Sequence, residues 1–372
     1  MSVKNRDLFR LIEELAPKQL AEDWDNVGLQ VGNDIGEVKR VLVTLDVDEA
    51  VVKEAIEKEI DLIIAHHPLL MKGIKSINID SPKGLVLSQL IKNNITVYAA
   101  HTNLDIADGG VNSVLADKLG LQNVEVLAVT GSQRYIKLVV FVPMEHQEQV
   151  RTALTNAGAG WIGNYSDCTF RTTGTGTFLP REGANPFIGV EGKVEQVAEV
   201  RIETIVPVEK LAAVVKAMEQ AHPYEEVAYD VYPLNNQGPV FGLGRIGTLT
   251  EAVPFTEFVL QLKEALNLKT VKVGGDQQRL IKKVALCGGS AADFWPKALA
   301  KGADVYVSGD VKYHTAQDMV AAGLCFVDGG HYGTEIPVVQ VLCNYLKTRC
   351  VEENFNVEIM TTKSYQEPFV YL

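Results

Sequence analysis

Apolar positions recur at two spacings along the chain, and the alternation of those spacings sets the expected architecture. Leu8, Leu11, Ile12 and Leu15 repeat at intervals of three and four, which predicts an amphipathic helix over 4–15 that ends before Pro17. The run 22–29, around Trp24, reads as a polar loop. A strand follows within 38–45, then a helical pattern over 48–59, then Asp61-Leu62-Ile63-Ile64-Ala65 as a buried strand. Strand, helix, strand is the sequence form of a right-handed βαβ unit in a parallel sheet. A helix over 83–93, a strand over 95–100 and a helix over 112–119, closed by Gly120, continue the series.

The texture changes after about residue 130. A strand over 135–142, a helix over 145–157, a Thr- and Gly-dense stretch suited to hairpins over 165–192, a strand over 197–205, a helix over 208–221 and a strand over 227–233 predict a small ferredoxin-like α+β sandwich. From Gly242 the first texture returns. Helices are expected over 255–266, 295–301, 314–322 and 336–347, with strands over 281–287, 303–307 and 324–327. The expected fold is therefore a discontinuous α/β domain with one mainly parallel sheet, 1–130 with 240–372, interrupted by an inserted ferredoxin-like domain, 131–239.

Of 372 residues, 47% are hydrophobic and 22% charged, an ordinary globular composition that leaves this picture unchanged. The net charge of −12 does bear on function, because a field of that sign repels nucleic acid and anionic membranes, so an anionic ligand needs a local attraction. Cys168, Cys287, Cys325, Cys343 and Cys350 are scattered without C-x-x-C spacing, which argues against a disulfide framework or a thiolate zinc site and suits a reducing cytosol. The first residues lack the apolar core of a signal peptide, and no run reaches transmembrane length, so a cytoplasmic protein is expected.

The candidate chemistry lies where the strands end, which is where open α/β sheets bind ligands. His66 and His67, His101 and Asp105, and His331 with Glu335 each follow a predicted strand. On its own the His66-His67-Pro68 pair reads equally as loop histidines or as metal ligands. Adjacent residues in extended backbone diverge, however, so the pair suits two ions better than one. His331 and Glu335 share a helix face, and Asp105 stands four after His101, so each carboxylate can reach the centre its histidine reaches and both are candidates to bridge. His101 is either a ligand or the residue that orients Asp105. Asp46 and Asp310 are expected to cap helices, His314 to be a helix-face residue or a proton relay, and His222, Tyr224 and Glu225 to be structural. Nitrogen and oxygen donors without thiolate suit two Zn, Fe, Mn or Co ions better than Mg or Ca. Two divalent ions bring about +4 against about −3 from two carboxylates and a hydroxide, so the site would attract a small anion such as a phosphate. Metal-assisted hydrolysis is the implied reaction class.

His66-His67-Pro68, His101-Thr102-Asn103-Leu104-Asp105, Gly109-Gly110-Val111-Asn112, Ser308-Gly309-Asp310 and Asp328-x-Gly330-His331-x-x-x-Glu335 together resemble the NIF-three-like family, whose bacterial members are often labelled GTP cyclohydrolase type two homologues. The resemblance implies that the metal ligands are His66, His67, Asp105, His331 and Glu335, with the carboxylates shared between two ions and His101 and His314 nearby. It also implies a PII-like or CutA-like module in the middle segment and a hexameric ring. The chain departs from the pattern around Lys312-Tyr313-His314. Two functions follow as expectations: a metal-dependent hydrolase acting on a nucleotide-like substrate, or a non-enzymatic metal-binding or regulatory protein whose middle module senses a small molecule.

Overall fold

The structure, a computed structural model, describes residues 2–364 and 367–370. Its strands are β1 (Gly28–Val31), β2 (Arg40–Thr44), β3 (Leu62–Ala65), β4 (Thr96–Ala99) and β5 (Gln122–Ser132), then β6 (Tyr135–Pro143), β7 (Thr169–Phe178), β8 (Glu195–Pro207) and β9 (Tyr229–Pro233). After these come β10 (Val240–Pro254), β11 (Lys272–Gly274), β12 (Leu280–Leu286), β13 (Val305–Ser308), β14 (Cys325–Asp328) and β15 (Glu358–Thr361). The chain divides into two compact units, Met1–Thr130 with Phe241–Leu372, and Gly131–Val240.

The first unit holds two sheets, in the orders β1-β4-β3-β2-β15 and β11-β14-β13-β12-β10-β5. This corrects the expectation of a single mainly parallel sheet. Each sheet has a parallel run, β15-β2-β3-β4 in one and β12-β13-β14 in the other; antiparallel strands extend the first at one end, β1 on β4, and the second at both, β11 on β14 and β10 on β12. The bounding strands escape a hydrophobicity reading because they are partly solvated, as the exposed positions of β5, β10 and β11 illustrate. The central strands carry continuous apolar runs because both their faces are covered. Along β2 and β3, Val41, Val43, Leu62 and Ile64 pack toward the helices Asn5–Leu15 and Pro337–Glu352, whereas Leu42 and Ile63 pack toward Glu49–Glu57 and Pro82–Lys92. Burial of that kind is worth about 1.5–3 kcal/mol per large aliphatic side chain, enough to hold the strand ends rigidly.

Two helices of the first unit start on side-chain caps. Asp48 accepts from the Val51 N–H at 2.8 Å, and Ser81 accepts from the Gly84 N–H at 3.1 Å with Pro82 just inside the helix.

The second unit is one antiparallel sheet, β7-β8-β6-β9, in the chain order strand, helix, strand, strand, helix, strand. Helices Gln147–Asn156 and Leu211–Ala221 cover one face, where Leu138, Val140, Val200 and Ile202 meet Val150, Leu154, Val214 and Met218. The stretch expected to form hairpins contributes one strand, β7, followed by a loop through 179–194. Among the described residues no helix is long and apolar enough to cross a membrane.

Candidate metal centre

Four histidines of the first unit are anchored at Nδ1 and brought together at Nε2. The His66 ring follows β3 and meets the Ala100 carbonyl at 2.8 Å through Nδ1. His67 Nδ1 meets Asp46 Oδ1 at 2.9 Å, His101 Nδ1 meets Asp25 Oδ1 at 2.9 Å, and His331 Nδ1 meets Asp310 Oδ2 at 2.8 Å. An acceptor on one ring nitrogen fixes ring orientation and places the proton there, leaving the other nitrogen as a donor pair for a metal. The ring centres of His66 and His67 lie 4.9 Å apart, those of His67 and His331 5.2 Å, and that of His101 lies 5.3 Å from His66.

Two carboxylates complete the cluster. His66 Nε2 lies 3.6 Å from Asp105 Oδ1 and 3.8 Å from Glu335 Oε1. His67 Nε2 and His331 Nε2 lie 3.0 Å and 3.2 Å from the other Glu335 oxygen, Oε2. Three compact donor groups result: His66, Asp105 and Glu335; His67, His331 and Glu335; and His66, His67 and His101. Glu335 therefore turns one oxygen toward each of two groups. Asp105 belongs to only one of them among the described residues.

Backbone geometry serves this convergence. Gly330, with φ of +78°, turns the chain from β14 directly into the helix His331–Glu335. Gly289 leaves room for the carboxylate, since a Cβ there would stand 2.1 Å from Glu335 Oε1. Asp310 holds φ of +53°, a conformation costly for most side chains and tolerable for Asp, and its carboxylate meets His331 from that turn.

The acids and imidazoles of the cluster strongly perturb one another. Burial is the main cause that lifts the Asp105 carboxyl to about 7. Burial would also lift Glu335, but the imidazoles of His331, His66 and His67 gathered around it hold it well below the usual carboxylate range. Burial opposes protonation of His67, yet Asp46 and Glu335 raise it to about 10. For His331, the Glu335 hydrogen bond leads and the value rises to about 9. The protein groups alone still do not satisfy one another, because His66 Nε2, Asp105 Oδ1 and Glu335 Oε2 are buried without a well-formed hydrogen bond. Unpaired buried polar atoms cost about 1–3 kcal/mol each, and three at one point fit metal ligands. The centre opens into a cleft of about 890 Å³ bordered by Trp24, Phe294, Tyr332 and Phe369.

The structure thus brings together His66, His67, Asp105, His331 and Glu335, and adds His101, whose remaining ring nitrogen lies within reach of the His66 and His67 donors. His101 does not orient Asp105; its own partner is Asp25. Asp46 and Asp310 are corrected from helix caps to histidine anchors, and the cap expected of Asp46 is supplied by Asp48. His314 stands apart, exposed, with Nδ1 3.2 Å from Gln317 Oε1. Asp25 was legible only as part of the polar loop around Trp24. Burial would raise its carboxyl, but hydrogen bonds from His101 and Thr102 bring it down to about 2, so it stays an anionic anchor.

Comparison with known proteins agrees over the whole length. The model of the family described as Duf34/NIF3 (NGG1p interacting factor 3) matches residues 3–368. A Bacillus subtilis (strain 168) protein named GTP cyclohydrolase 1 type 2 homolog is 47% identical over 371 residues, covering 100% of this chain and 99% of that one. Among solved structures, a Bacillus cereus protein related to NIF3 superposes with a TM-score of 0.93 at 46% identity, with 100% of both chains covered. A Staphylococcus aureus protein gives 0.78 at 30% identity, covering 100% of this chain and 99% of that one. Family model, relatives and geometry converge, and the chain belongs to the Duf34/NIF3 family.

Proposed function

We propose that this protein is a dinuclear metal-dependent hydrolase acting on a nucleotide-like anion. The observation that carries the reading is Glu335, one oxygen directed to His66 and the other to His67 and His331, in a cluster where His66 Nε2, Asp105 Oδ1 and Glu335 Oε2 are buried without a well-formed hydrogen bond. His66, Asp105 and Glu335 would hold one divalent transition metal ion, and His67, His331 and Glu335 the other. When bound, such a pair supplies Lewis acidity and the positive charge that activates water for attack on an electrophilic centre.

The chain's own residues set the conditions around that chemistry. Asp46, Asp310 and Asp25 fix the orientation of His67, His331 and His101. His101 presents its second nitrogen to the same centre, where it either completes a ligand set or holds a proton. Trp24, 63% exposed, and Phe369, 67% exposed, border the cleft and offer flat apolar surfaces to a planar ring such as a purine. The cleft's other charges include Glu22, Asp46, Asp310 and Glu367, so an anionic substrate is drawn only once cations are in place. The name carried by the relatives suggests opening of the imidazole ring of GTP as the first reaction to try. The order of elements in the middle unit supports reading it as a ferredoxin-like insert.

The test is turnover. Metal-loaded protein incubated with a panel of nucleotides is expected to form a ring-opened or hydrolysed product, and His66→Ala and Glu335→Ala to abolish it. His101→Gln separates its two roles: lost metal marks a ligand, retained metal with slowed turnover marks a proton carrier. No product from any nucleotide, with metal retained, would sink the enzyme reading.

A further inference from the structure

In the middle unit, strand alternation sends Val200 and Ile202 of β8 toward the helices and leaves Glu199, Arg201 and Glu203 on the opposite sheet face. The segment after β7 folds over that face, tied by the Asn185 N–H donating to the Glu225 carboxylate at 2.8 Å. Between segment and sheet lies a cavity of about 630 Å³, the size of many small-molecule sites.

Its walls are mostly apolar, with one exception placed at depth. Glu199 lines the cavity and is only 9% exposed. Its one hydrogen bond comes from the Tyr224 hydroxyl, which donates to Oε1 at 3.2 Å, and no Lys, Arg or His pairs with it among the described residues. Gly176 lies under the other oxygen, since a Cβ at that position would stand 2.0 Å from Oε2. A buried carboxylate without a cation is expensive unless a partner arrives. One lining guanidinium is already engaged: Arg201 pairs with Glu203 at 3.0 Å and lies 6.0 Å over the Phe141 ring. Arg181 is on the exposed rim, as are Glu225 and Glu226.

Around the carboxylate stand aromatic rings. Tyr224 lies 5.9 Å from Phe178 and 6.4 Å from Phe187, centre to centre. His222, expected to be structural, positions this group: its Nδ1 accepts from the Tyr224 N–H at 3.1 Å, and its Nε2 meets the Phe141 carbonyl at 3.0 Å. Aromatic faces and a lone buried carboxylate both favour positive charge, and the apolar walls favour a hydrocarbon or aromatic body. We infer that this cavity is a binding site for a small organic cation, an ammonium group on an apolar or aromatic body, with Glu199 as its counter-ion. The inference stands apart from the hydrolase proposal, and it gives a concrete ligand chemistry to the small-molecule role expected of the middle segment.

Calorimetric titration of the full chain tests it with three probes of one shape: phenethylammonium, phenethyl alcohol and hydrocinnamate. The cation is expected to bind about tenfold or more tighter than the alcohol, the difference a charge-assisted hydrogen bond supplies, and the anion weaker still. Glu199→Gln should bring the cation down to the level of the alcohol while alcohol binding is kept. Should Glu199→Gln fail to fold, Gly176→Val, which fills the floor of the cavity, is expected to weaken both the cation and the alcohol. Equal binding of the three probes, preference for hydrocinnamate, no saturable binding of the cation at millimolar concentration, or a Glu199→Gln protein that binds the cation as well as the parent would each overturn the inference.

Discussion

Among the buried charged side chains of the unit formed by the ends of the chain, Arg245 and those of the histidine-carboxylate centre differ in how far the protein satisfies them. Arg245 is 3% exposed, yet both terminal nitrogens of its fork are answered: the carbonyls of Gly242, Gly244 and Ile106 accept at 3.0 Å, and the Ala107 carbonyl and the Asp108 carboxylate at 3.2 Å. The histidine-carboxylate centre is equally buried at His66, 1% exposed, and Glu335, 4% exposed, but leaves three atoms without a well-formed hydrogen bond. Burial of charge is therefore no guide to function by itself. The guide is the remainder after every internal partner has been counted. Arg245 is a fastener between the turn after the helix Thr102–Ile106 and the start of β10, whereas the centre is shaped for something the chain does not contain.

The largest expected effect falls on the centre. Elemental analysis after metal-replete purification should find about two equivalents per chain, as two-metal sites require, and Glu335→Ala should lose both because it alone belongs to both groups. His331→Ala should lose about one, since it serves a single group. Finding no metal in the parent protein would erase the distinction from Arg245. For the fastener, Arg245→Met leaves the carbonyls without donors and should destabilise the fold by about 3 kcal/mol while metal content is unchanged, as urea titration and elemental analysis will read. A smaller change is expected from Asp310→Ala, which frees the His331 ring and should weaken metal affinity by about 10- to 100-fold without removing a ligand. Unaltered affinity would mean that packing alone holds His331.

Much of the centre was legible because its histidines follow strands and the strands were readable as apolar runs, Leu62–Ala65 before His66 and Cys325–Asp328 before His331. The spacing of His331 and Glu335 correctly placed them on one helix face. What escaped was non-local. The division into two sheets depends on β1, β10 and β11, whose partly solvated positions carry little periodicity. The anchors Asp25, Asp46 and Asp310 are ordinary acids until the fold sets each beside a histidine Nδ1. The cavity beside Glu199 was hidden in a Thr- and Gly-dense stretch that reads as hairpins, because a loop crossing a sheet face has no hydrophobic rhythm of its own.

A third buried charge places the rule on a finer scale. Glu54 is 6% exposed, and, like Arg245, it is fully answered: Lys58 Nζ and the Thr362 hydroxyl reach its two oxygens at 2.6 Å, and the Lys363 and Ser364 N–H groups donate to Oε2 at 3.0 Å. Burial would raise its carboxyl, but these donors lower it from 4.5 to about 2. A group depressed in the folded state binds its proton less readily than in the unfolded chain, so its contribution is present above pH 4.5 and is lost as pH falls toward about 2. Glu54→Gln should therefore be less stable than the parent at neutral pH by about 1 kcal/mol, the scale of hydrogen bonds to a charged group discounted for partial solvation. The difference between the two proteins, read from urea titrations across pH, should shrink through that window. Taking the difference removes the acid sensitivity of the histidine-carboxylate centre, which both proteins share. A gap that stays constant down to pH 2 would show that Glu54 is held by shape and not by charge, and would leave Arg245 as the better example of a satisfied buried ion.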